Sequence, residues 1–80
     1  MYYPTQTFLV AGLSRSGVAA AELLVARHAR AVYLYDDVSD EGVRKNIAHL
    51  EQLGCRSVAK EELTACAAEC DVLVLSPGIP

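Results

Sequence analysis

At 80 residues, 52 % of them hydrophobic and 6 % aromatic, the chain is one small domain or a piece of a larger one, with a packed core of Val, Leu and Ala rather than disorder. A net charge of −3 speaks against a general nucleic-acid surface. No apolar run approaches the ~20 residues of a membrane span, and the opening MYYPTQTF lacks the parts of a signal peptide, so the chain reads as cytoplasmic and unattached to membrane.

Thr7 to Ala11 reads as a first strand, buried on both faces because its apolar residues do not alternate. The spacing then predicts a helix over residues 16–28. Its interior is apolar almost all round, broken by Glu22, which predicts a largely covered helix. Ala31 to Tyr35 is a second strand, rich in β-formers and ending at Asp36 and Asp37. Ser39 or Asp40 can cap a second helix with Glu41 in its first turn. Its apolar stripe is Val43, Ile47 and Leu50, completed by Leu53, and Gly54 stops it. Residues 56–59 suggest a short third strand and residues 61–68 a third helix, with Glu61 and Glu62 complementing its dipole. Val72 to Leu75 is a fully apolar fourth strand, followed by the turn Ser-Pro-Gly-Ile-Pro.

Such alternation predicts the α/β class: an open parallel sheet with right-handed crossovers and helices on both faces, expected to be cut short after its fourth strand. An unpaired edge left there would favour self-association. Cys55, Cys66 and Cys70 are odd in number and lack CxxC spacing, which argues against a disulfide framework or zinc. Cys66 and Cys70 continue an apolar stripe with Leu63 and Ala67 and read as core residues. His28 and His49 are isolated, and neither is assigned to catalysis.

The first strand runs into GLSRSG, residues 12–17, and then into a helix. A strand, a glycine turn and a helix N-terminus bind anions, because free backbone N–H groups and the helix dipole favour negative charge. The spacing approximates the Rossmann pattern G-x-G-x-x-G, with Gly12 and Gly17 in place and Ser14 where the middle glycine would stand. Arg15 and Ser16 add a charge and a hydroxyl. Asp36 follows Gly17 by 19 residues, where a dinucleotide-binding domain carries the acid that holds the ribose. Ligands of open α/β sheets bind outside the carboxyl ends of the strands, so residues 12–17, 36–37 and 76–78 should border one crevice.

VAGLSRSGVAAAELL, the acid after the second strand, and DVLVLSPGIP together resemble the N-terminal domain of the Mur ligases, in particular the branch that adds D-glutamate. The resemblance implies a Rossmann-like fold that holds the uridine diphosphate of UDP-N-acetylmuramoyl-L-alanine in cytoplasmic peptidoglycan synthesis. On that reading Ser14, Arg15 and Ser16 contact the diphosphate, Gly17 belongs to the same substrate site, Asp36 and Asp37 lie by the uracil, and Gly78 lines the pocket. Family members often carry a basic residue just after the strand-end acid, whereas Asp37, Val38 and Ser39 follow here. The resemblance also implies an ATP- and Mg2+-dependent amide-forming ligase whose central and C-terminal domains lie beyond Pro80. No GxxxxGK[ST] occurs in these 80 residues, so the chain alone is expected to hold no cofactor and to be inactive. The competing reading of the same turns is an NAD(P)-binding Rossmann domain of an oxidoreductase or regulatory protein. A third is a non-enzymatic interaction module.

Overall fold

The computed structural model describes residues 3–75. A single 3-10 turn, Tyr3–Thr5, leads into β1 (Thr7–Ala11), α1 (Arg15–Ala26), β2 (Ala31–Tyr35), α2 (Glu41–Gln52), β3 (Arg56–Ser57), α3 (Leu63–Glu69) and β4 (Val72–Leu75). The third helix begins later than its sequence suggests because Lys60–Glu62 form a separate 3-10 turn. The four strands make one parallel sheet in the order β3-β2-β1-β4. Leu9 stands opposite Tyr33 and Leu73, and Val10 opposite Leu34 and Val74. The chain runs outward from β1 to β3 and then crosses back to β4, so right-handed crossovers put α3 on the face opposite α1 and α2.

Side chains alternate across a strand, which divides the sheet's apolar residues between the two faces. Phe8, Val10, Val32 and Leu34 pack with Ala21 and Leu24 of α1, Leu50 of α2, and Leu13 and Cys55 into one buried cluster. Leu9 is buried on the other face, where α3 crosses β1. The apolar run of β4 predicts burial that the three central residues of β1 achieve and β4 does not: Leu73 is 51 % exposed and Leu75 70 %. β4 is an edge strand among the described residues, and the seven-residue α3 leaves its outer half open.

Two expectations for the helices need correction. Only Gly17, Ala21 and Leu24 of α1 are buried, while Leu23 is half exposed. Leu53 is likewise exposed instead of completing the α2 stripe. The layer is one helix deep, so each helix has one covered side. The exposed sides of α1 and α2 meet through Glu22 Oε2 and His49 Nε2, 2.7 Å apart, which gives His49 a partner.

Asp40 caps α2 by accepting the Val43 N–H at 2.8 Å. Both long helices end in the same pair of backbone bonds: His28 and Ala29 donate to Val25 and Leu24, and Gly54 and Cys55 donate to Glu51 and Leu50. That ending needs a left-handed residue, which is Gly54 (φ 106°) in α2 and His28 (φ 62°) in α1. At the opposite end of the sheet, Asp71 joins β4 to β1 by accepting the Thr7 N–H at 2.8 Å and donating its own N–H to the Thr7 carbonyl at 2.8 Å. The three cysteines are free, Cys55 in the core and the other two half-buried. Burial and the contact with Cys66 push the Cys70 thiol up to about 11. Among the described residues no helix is long and apolar enough to cross a membrane.

Candidate functional site

β1, β2 and β4 run parallel, so their carboxyl ends share one edge of the sheet, and a cleft of about 480 Å3 opens there. Its floor is Ala11 and Gly12, its polar wall Ser14, Asp36 and Asp37, and its apolar wall includes Leu63 and Leu75. Gly12 sits at φ 96°, a conformation that costs an L-residue roughly 1–2 kcal/mol, and its N–H continues the sheet ladder to the Tyr35 carbonyl at 2.8 Å. The chain can therefore turn sharply out of β1 directly beside the end of β2.

The turn is held from two sides at Leu13, whose side chain is fully buried. Its N–H donates to Asp36 Oδ2 at 2.7 Å, and its carbonyl accepts from Asn46 Nδ2 of α2 at 2.8 Å. Asp36 Oδ1 accepts the Val38 N–H at 2.8 Å, so one carboxylate fixes both the glycine turn and the turn after β2. A carboxylate offers about four lone-pair directions, and these two bonds leave half of them for a ligand. Asp37 accepts from the Tyr35 hydroxyl at 2.7 Å, which is the main reason that the phenol titrates above its usual range.

Ser14 stands at the N-cap of α1 with φ −78°, and its hydroxyl makes no capping bond. Serine is therefore unstrained there; what the missing middle glycine changes is the space for an approaching ligand, not the backbone. The first-turn N–H groups of Arg15, Ser16 and Gly17 lie before the first intrahelical bond, Val18 N–H to the Ser14 carbonyl at 2.9 Å, and are left for an anion. Gly17 is buried, as close contact between helix and sheet requires. Arg15 instead lines a groove between α1 and α2 with Val18, Ala19, Glu22 and Asn46. Thus Ser14, Asp36 and Asp37 line the cleft together, Ser16 and Gly17 stand in the first turn of α1 and do not line it, and Arg15 lines the neighbouring groove. Gly78 lies outside the described residues. Sequence reasoning missed Asn46, whose polar side chain gives no local sign of reaching the turn, and the wall residues Tyr35, Val38, Leu63 and Leu75.

No protein-family model and no curated protein matches the chain. A solved structure does: glutamyl-tRNA reductase from Methanopyrus kandleri, with a TM-score of 0.76 and 28 % identity over 99 % of this chain. The chain spans 19 % of that protein's length. This finding corrects the Mur-ligase expectation, and with it the ATP-dependent ligase activity, the place in peptidoglycan synthesis and UDP-N-acetylmuramoyl-L-alanine as partner. The structural neighbour is a reductase by name, and nothing found supports a ligase. The physical reason is that a glycine turn and a strand-end acid belong to any Rossmann-type phosphate site. The Ser-Pro-Gly-Ile-Pro segment, which carried the distinction, lies outside the described residues.

Proposed function

We propose that the chain is an NAD(P)-binding Rossmann-like module of an oxidoreductase, with a preference for NAD(H). The observation that carries this is the bond from the Leu13 N–H to Asp36, which sets the glycine turn and the strand-end acid against one another at the mouth of a parallel sheet. The likeness to a reductase supports it, since reductases on this fold draw hydride from a nicotinamide dinucleotide. The pyrophosphate would meet the N–H groups of Arg15, Ser16 and Gly17. The ribose hydroxyls of the adenosine half would take the free lone pairs of Asp36. Leu63, Leu75 and the Tyr35 ring offer the base an apolar wall.

Asp36 and Asp37 are the charged residues lining the cleft, and an added 2′-phosphate would meet both. NADH should therefore bind about 10-fold or more tightly than NADPH, like charges across a contact being unfavourable. The free thiols suit a reducing, cytoplasmic setting. Cofactor fluorescence during titration of the folded chain reads the preference directly. Equal binding of the two, or binding of neither, would overturn it.

A further inference from the structure

We infer that Cys66 and Cys70 form a two-thiolate site for a soft monovalent cation of the copper(I) class. Their sulfurs are 3.9 Å apart, one helical turn from each other at the end of α3. With Leu63 they are the half-buried residues between positions 63 and 70, the rest being exposed, so both thiols point to the same side. An ion held about 2.3 Å from each sulfur by these two donors alone lies on the line between them, which asks the sulfurs to part from 3.9 Å to about 4.6 Å. A disulfide, by contrast, requires the sulfurs to close to about 2.05 Å.

The surroundings narrow the choice of ion. Among the described residues no group of three or more His, Cys, Asp and Glu side chains is placed to hold a metal. Zinc and the hard divalent ions need such a set, whereas a soft cation is served by thiolates alone. Cys66 opens onto a surface depression of about 380 Å3 that also contains Glu61, Glu62 and Glu69. These carboxylates raise the local concentration of cations at the entrance without completing a hard-ion site. Cys70 ends the helix in extended conformation (φ −85°, ψ 144°), so its sulfur can adjust without unwinding α3. Binding releases one proton from each thiol to solvent and involves no change of oxidation state. Cys55, buried in the core cluster, takes no part.

Silver(I), added as the nitrate to the reduced 80-residue chain in chloride-free, oxygen-free buffer, is the probe. One ion per chain should bind about 100-fold more tightly than to the Cys66→Ala or Cys70→Ala chain, the gain of a second donor on the same scaffold. Cys55→Ala should leave this affinity unchanged. Equal affinity in parent and single-thiol chains, or loss in Cys55→Ala, would overturn the site. Amide shifts of the parent chain give a second reading that needs no variant. Changes centred on residues 63–71 agree with the inference; changes centred on Cys55 refute it.

Discussion

The two faces of the sheet differ in how completely they are built. On the α1 and α2 face, Phe8, Val10, Leu13, Leu34 and Leu50 are all at or below 1 % exposure. On the α3 face, among the described residues, only Leu9 reaches that level, and Leu73 and Leu75 lie open although their strand is as apolar as β1. Apolar composition records what a strand is suited to bury; the elements beside it determine what it does bury. The candidate cleft lies where the two halves meet. Its turn and acid are held by the packed half, and its apolar wall, Leu63 and Leu75, comes from the open one.

Matched truncations give the largest contrast. Leu34→Ala, in the packed half, should cost about 2–5 kcal/mol. Leu75→Ala should change stability by no more than about 0.5 kcal/mol. Urea unfolding of both variants checks the pair, and a large loss at Leu75 would mean that the open face is covered in solution. Next comes the hinge between the halves. Asp36→Ala removes a charged acceptor from two backbone N–H groups and should cost about 2 kcal/mol. The amide of Leu13 should then exchange with solvent faster, while that of Val43, held by Asp40, keeps its protection.

Much of this was legible in the chain. β1, β2 and β4 fall at the boundaries that their apolar runs suggest, and the α/β alternation led to the parallel sheet. The pairing of turn and acid followed from spacing alone. The direction of Arg15 was also available: Arg15, Val18, Ala19 and Glu22 follow the i, i+3, i+4, i+7 repeat, so they share a helix side away from the cleft. Asn46 was not legible, because a side-chain bond 33 residues distant leaves no periodic trace. Nor was the exposure of Leu75, which depends on the short α3. The ligase expectation failed for another reason: motifs fixed by phosphate geometry do not distinguish families that share the fold.

A smaller effect compares the ends of the two helices in the packed half. His28 occupies the left-handed position that glycine fills in α2, so His28→Gly should raise stability by about 1 kcal/mol, read as a shift in urea midpoint. A loss there would show that the His28 side chain contributes more than its backbone strain removes. The smallest is the pH response of Cys55, whose thiol burial pushes above its usual value of 9.0. A folded pKa above the unfolded one means stability complete below about pH 9 and lost as pH rises through the folded value. Thermal melts of the parent chain between pH 8 and 11, set against Cys55→Ala, should show the parent declining more steeply.

The most direct test of the central claim is an amide-shift map of the 80-residue chain titrated with NAD+, with NADP+ and UDP as comparisons. The account predicts saturable shifts with NAD+ at Gly12, at Ser14 to Gly17 and at Asp36 and Asp37, and weaker ones with NADP+. Saturation by UDP with no response to NAD+, or no response at these turns to any of the three, would contradict it.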